Sequence, residues 1–158
     1  MTNRKKLDTP AVHIPPPVIM VVFLVLGLYL NKVLGSGFGA AARPFSFFGI
    51  GFIVFSAILV LWCGWLYHKA KTSISPYTKD NAIIDTGPFG VSRNPIYVSM
   101  IMMFIGIVLY WNAPAALLLL IPTYLALRYY AIAREEAYLF RRFGKDYTDY
   151  QARVRRWF

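Results

Sequence analysis

The sequence predicts an all-α integral membrane protein of about four transmembrane helices. The last two form a tight hairpin, and C-terminal helices follow at the membrane surface. Three observations predict this. First, of 158 residues 58% are hydrophobic and 15% charged, with a mean hydropathy of +0.49. That is more apolar surface than a soluble domain of this size can cover. Second, four apolar runs divide the chain. Third, the net charge of +10 sits in segments that flank those runs, which is how membrane proteins distribute charge. No nucleic-acid partner is therefore expected.

The first run is Val18 to Leu34, introduced by Pro15-Pro16-Pro17 as a stop, with Lys32 placed to snorkel. The second, Ser46 to Tyr67, is long enough to cross about 30 Å of hydrocarbon with little tilt. Within it lies Cys63, the only cysteine, for which inert packing is the expectation. The third run is Ile96 to Trp111 and the fourth Ala113 to about Tyr130, both short for full spans. Only Asn112 and its neighbours separate them, hence the expected hairpin. Pro114 suits the first turn of the fourth helix, and Pro122, inside it, predicts a kink. The chain thus divides into an N-terminal segment (1–17), two spans (18–67) and a core of loop, hairpin and tail (68–158), all in one domain.

The basic residues set an orientation. Arg4, Lys5 and Lys6 precede the first span. Lys69, Lys71, Lys79 and Arg93 lie between the second and third. Arg134, Arg141, Arg142, Lys145, Arg153, Arg155 and Arg156 follow the fourth, with Arg128 at its end. The alternating segments are poor in Lys and Arg, so the positive-inside rule puts both termini and the loop before the third span in the cytoplasm. The polar region Lys69 to Asp85 contains the turn signal Ser75-Pro76 and reads as a surface loop or a lid. No strand leads into G-x-G-x-x-G, so no Rossmann site is expected. His13 and His68 are isolated, and no metal centre is expected.

The tail segment Ala131 to Phe143 has helical composition. Projected at 100° per residue, Glu135 and Arg142 share a face with Arg128, Ile132 and Leu139, directed at the membrane or the protein, with Glu136 beside them. Arg134, Tyr138 and Arg141 fall on the opposite, solvated face. An inward carboxylate and guanidinium at a bilayer surface must be paired or used. Gly144 ends this helix. Asp146 is placed to cap a further short helix carrying Tyr147, Tyr150 and Val154 along the interface.

Two motifs stand together on the cytoplasmic side. One is Gly87-Pro88-Phe89 with Arg93-Asn94-Pro95-Ile96-Tyr97. The other is Glu135-Glu136-Ala137-Tyr138-Leu139 with Phe143-Gly144-Lys145-Asp146-Tyr147-Thr148-Asp149-Tyr150. In this order, separated by one hairpin, they resemble the isoprenylcysteine carboxyl methyltransferase family, which includes phospholipid methyltransferase-like proteins. The likeness runs from about Ser75 to the C-terminus. Asn94 stands where many members have His, so an imidazole acid–base role is absent, though Asn keeps a donor and an acceptor. Arg155 stands where members often carry Pro.

The resemblance implies an S-adenosylmethionine-dependent methyltransferase. Its cofactor residues would be Gly87, Arg93, Asn94, Pro95, Tyr97, Glu135 and Glu136, at the cytoplasmic membrane face. Glu135 or Glu136 would accept from the cofactor's ammonium or ribose hydroxyls, and Arg93 would hold its carboxylate. The acceptor would be lipophilic, the carboxylate of a prenylated cysteine or another lipid. A carboxylate is already ionised and needs alignment more than a base. Arg142 would orient it, held by Glu135, which makes Glu135 and Arg142 the expected catalytic pair. An amine would instead use a Glu as base. Ser99 and Gly106 in the third span suit either a narrow lipid tunnel or close helix packing. The expected location is a bacterial or archaeal plasma (inner) membrane. Two rival readings are a nicotinamide-dependent membrane reductase of the sterol-reductase type and a non-catalytic scaffold whose acids only form ion pairs.

Overall fold

The structure, a computed structural model, describes residues 10, 12–71 and 82–157. The Ser75-Pro76 turn, the proposed lid around it, Lys79 and the N-terminal cluster Arg4, Lys5 and Lys6 lie outside the described residues. The described chain is helical, with no strand.

Helix α1 is Pro16–Leu34. Pro16 and Pro17 occupy its first positions, where a missing N–H leaves no bond unmade, so the prolines open the helix rather than stop the chain ahead of it. A 3-10 turn, Gly39–Ala41, leads into α2, Ala42–Lys69, whose 28 residues extend about 42 Å. A single-turn α3, Pro88–Val91, precedes α4, Pro95–Tyr110. The long α5, Pro114–Phe143, is followed after Gly144 by α6, Lys145–Arg153. By length and composition α1, α2 with its entry turn, and α5 are able to cross a membrane; α4, at 16 residues, is shorter.

Helices α2 and α4 meet most closely at two glycines. A Cβ on Gly49 would lie 2.6 Å from the Tyr110 nitrogen and 2.7 Å from the Gly106 oxygen. Bare backbone contact of this kind is how apolar helices approach without a hydrophobic driving force between them. About two turns along, the Ser56 hydroxyl donates to the Ser99 carbonyl at 3.0 Å, both residues fully buried. Gly106 is therefore a packing residue. Ser99 packs likewise and also borders the cavity described below.

After α4, Asn112 adopts a positive φ of 54° and Pro114 starts α5. Phe104 and Val108 then pack with Ala113 and Ala116, while Tyr97 packs with Leu127 and Ala131. At this end Asn31 of α1 accepts from the Ala115 N–H at 3.0 Å, satisfying a helix-start donor that has no partner within its own helix. Asn112 accepts from the Phe38 N–H at 2.7 Å.

Helix α5 is not uniform. It begins as 3-10 (Pro114–Leu119), becomes α (Leu120–Ala126), loosens to π (Leu127–Ile132) and tightens again (Ala133–Phe143). Pro122, with no N–H to donate, stands just past the 3-10 to α change. The π turn was not expected. Its wider winding breaks the 100° step between Arg128 and the residues beyond Ile132. Tyr138 is 1% exposed rather than solvated, and Arg142 is exposed rather than turned inward.

Helix α6 carries its apolar residues against the rest of the protein. Tyr147, Tyr150 and Val154 form a small core with Ile83, Leu139 and Phe143, and the Tyr150 hydroxyl donates to the Phe89 carbonyl at 2.7 Å. The helix is docked on protein, with Gly144, at φ 54°, making the corner that lets it fold back.

Candidate active site

A cavity of about 680 Å³ lies where α1 and α4 begin and where the last part of α5 meets α6. Its volume is within the usual range for small-molecule sites. Arg93, Asn94, Tyr97, Glu135, Glu136 and Tyr147 line one part. Met20 of α1, Val60 of α2, and Met100 and Met103 of α4 line another. The cavity is thus polar at one end and methionine-rich and apolar at the other.

The polar end is built around Glu136, which is buried. Arg93 Nη2 lies 3.2 Å from its Oε1, and Arg156 Nε donates to Oε1 at 2.9 Å while Arg156 Nη2 pairs with Oε2. One carboxylate is bracketed by two guanidiniums, which compensates its burial. The hydrogen bond with Glu136 in turn holds the Arg156 guanidinium above its ordinary pKa range. Glu135, one residue back, serves a separate contact: the Tyr97 hydroxyl donates to its Oε1 at 2.6 Å.

The turn before α4 is strapped down by the C-terminus. The Arg93 N–H donates to the Arg155 carbonyl at 3.0 Å. Asn94 Nδ2 and the Ser92 hydroxyl both donate to the Arg156 carbonyl, at 3.0 and 3.2 Å. Asn94 occupies the N-cap of α4 without capping it by its side chain; the amide is spent on the strap. The Arg93 guanidinium keeps one buried N–H, at Nε, with no hydrogen-bond partner. Such an orphan in a cavity wall is costly unless a ligand meets it. Burial, then the charge of Glu136, pushes the Tyr147 phenol up to about 12, so it stays a neutral donor at physiological pH.

Of the residues expected from sequence, Arg93, Asn94, Pro95, Tyr97, Glu135 and Glu136 all border this one cavity. Gly87 and Arg142 do not. Gly87 has φ 59° and a Cβ there would sit 3.2 Å from Leu66 and Trp62, so its glycine shapes the turn under α3. Arg142 is exposed: it lies a turn past Leu139, the last α5 residue to border the cavity. Arg156 was missed. A lone Arg within a basic tail gives no signal, and only its fold-back onto Asn94 and Glu136 reveals it. Among the described residues no group of His, Cys, Asp and Glu gathers as a metal site.

An apolar helix bundle with an amphipathic cavity at one end defines a membrane protein in which polar and lipophilic molecules can share one site. The sequence profile of the phospholipid methyltransferase family matches residues 45–146, well over half the chain, and the chain belongs to that family. Methyl transfer at a membrane is accordingly its class of chemistry. No curated protein and no solved structure matches it.

Proposed function

We propose that the chain transfers a methyl group from S-adenosylmethionine to an acceptor carried by a lipophilic molecule, at the cytoplasmic face of the membrane. The observation that carries this reading is the single cavity shared by the Arg93–Glu135–Glu136 polar end and the methionine-lined apolar end. When bound, S-adenosylmethionine supplies the methyl on its sulfonium. The residues present fit such a donor. The unpartnered Nε–H of Arg93 suits its carboxylate, and Glu135 suits its ammonium or ribose hydroxyls.

The division of labour between the two acids follows from their partners. Glu136 is occupied by Arg93 and Arg156 and positions Arg93. Glu135 accepts from a neutral phenol and borders the cavity. An amine acceptor would pass its proton to Glu135; a carboxylate acceptor would need none. Arg142, expected to orient the acceptor, is exposed and does not border the cavity. The apolar walls exclude water and hold the lipid in line with the donor, so alignment and desolvation supply most of the rate. The test is transfer of label from methyl-tritiated S-adenosylmethionine into the lipid fraction of a membrane extract. Label in lipid with wild type and not with Glu135→Gln supports the reading. No lipid-borne label from monodisperse wild-type protein contradicts it.

A further inference from the structure

Residues Val12 to Pro15 lie ahead of α1 and outside the stretch that matches the family, yet they are packed into the bundle. Val12 is 1% exposed and sits in one cluster with Tyr97, Leu127, Ala131 and Ile132. The N–H groups of His13 and Ile14 both donate to one acceptor, the Tyr130 hydroxyl, at 3.0 and 2.9 Å. Tyr130 belongs to the π turn of α5. Pro15 is extended, at φ −56° and ψ 130°, and a residue that precedes proline is itself held extended. The segment is therefore stiff, clasped at one hydroxyl and anchored by one buried valine. It delivers Pro15, Pro16 and Pro17 to the cavity wall, beside Met20 and opposite Met100. Prolines bring no N–H to that wall, so it offers apolar ring surface and no donor.

We propose that Pro15–Pro17 is the wall that limits the size of molecule the cavity admits, and that Val12 and the Tyr130 clasp hold it in place. In the functional reading above, on which this part rests, it sets which lipophilic acceptors enter beside Tyr97 and Glu135. The wall itself is a matter of geometry and stands apart from the chemistry.

The test uses thiol access in place of methyl transfer. Cys63 is fully buried, so a Cys63→Ala chain carrying Met100→Cys has one thiol, in the cavity. It is treated with a small maleimide, N-ethylmaleimide, and a bulky one, fluorescein maleimide. With Tyr130 intact the small reagent reacts and the bulky one is excluded. Tyr130→Phe keeps the ring that stacks under Arg134 but removes the acceptor of two hydrogen bonds, and raises the bulky reagent's rate about tenfold. Val12→Ala, which loosens the anchor without adding a charge, moves it in the same direction. S-Adenosylmethionine affinity, measured in parallel, is unchanged in Tyr130→Phe. Equal bulky-reagent rates with and without the Tyr130 hydroxyl overturn the proposal, as does free entry of the bulky reagent when Tyr130 is intact. Failure of the parent chain to bind S-adenosylmethionine would sink the functional reading alone, and the thiol rates would still decide the wall.

Discussion

The Tyr97 hydroxyl donates a 2.6 Å hydrogen bond to Glu135 Oε1, joining the first turn of α4 to the last part of α5 inside the cavity. The phenol is a neutral donor to the carboxylate. Tyr97→Phe should remove one hydrogen bond to Glu135, and Glu135→Gln should replace its carboxylate by a neutral amide. The expected losses in methyl-transfer rate are about tenfold for the first and about a hundredfold or more for the second. The check is initial rates at saturating donor, with unfolding temperature measured alongside to confirm that the fold is kept.

Glu136 answers to a different test, because its partners are charged. Glu136→Gln leaves the Arg93 and Arg156 guanidiniums facing one another, with side-chain exposures of 11% and 32%. Removing the charge that joins two partly buried cations costs at most about 3 kcal/mol, reduced here because solvent reaches Arg156. Arg134→Ala, on an exposed position, should cost within about 0.5 kcal/mol. Thermal unfolding followed with a thiol-reactive fluorophore reads both, since Cys63 is the single cysteine and is exposed only on unfolding. Equal shifts for Glu136→Gln and Arg134→Ala would contradict the placement of Glu136.

Close backbone contact between α2 and α4 makes a third expectation. Gly49→Ala puts a methyl group 2.6 Å from the Tyr110 nitrogen, which backbone atoms have little freedom to avoid. The expected destabilisation is about 2 kcal/mol or more, seen in the same unfolding assay. Gly51→Ala, one turn face away with nothing within 4 Å, should be neutral or slightly stabilising, as Ala outranks Gly in a helix.

A fourth expectation concerns alkaline pH. Burial, followed by the charge of Glu136, pushes the Tyr147 phenol up to about 12, above its ordinary value of about 10. The fold therefore favours the neutral phenol. That contribution is fully present below about pH 10 and is lost as pH rises towards 12. Unfolding temperature should fall over that window, and Tyr147→Phe should shallow the fall. A pH profile identical in wild type and Tyr147→Phe would show that this phenol is not the group responsible.

How much of this was legible in the sequence follows from what each residue's signal depends on. The apolar runs that became α1 and α2 are local features, and α1 begins two residues earlier than its apolar run only because proline is tolerated at a helix start. The meeting of Arg93 and Tyr97 with Glu135 and Glu136 depends on a motif pair, and the structure brings them together in one cavity. Arg142 was misplaced because the cavity ends at Leu139, one turn before it, which a helical projection does not show; Tyr138 lies only about 60° from Glu135 on a helix and borders the same cavity. Nothing in the composition of LRYYAI announces the π turn at Leu127–Ile132. Arg156 and Val12 carry no local signal at all. Their roles arise from chain ends folding back over 62 residues to Asn94 and over 117 to Tyr130, through the neighbouring His13 N–H.

The central claim is that the polar end of the cavity holds S-adenosylmethionine, and calorimetric titration of detergent-purified protein tests it most directly. S-Adenosylmethionine should bind at one site per chain, NADPH should not, and Arg93→Ala and Glu135→Gln should each weaken the donor about tenfold or more, as loss of a charge-assisted hydrogen bond requires. No heat from S-adenosylmethionine with monodisperse wild-type protein, or binding that is indifferent to Arg93 and Glu135, would contradict the account.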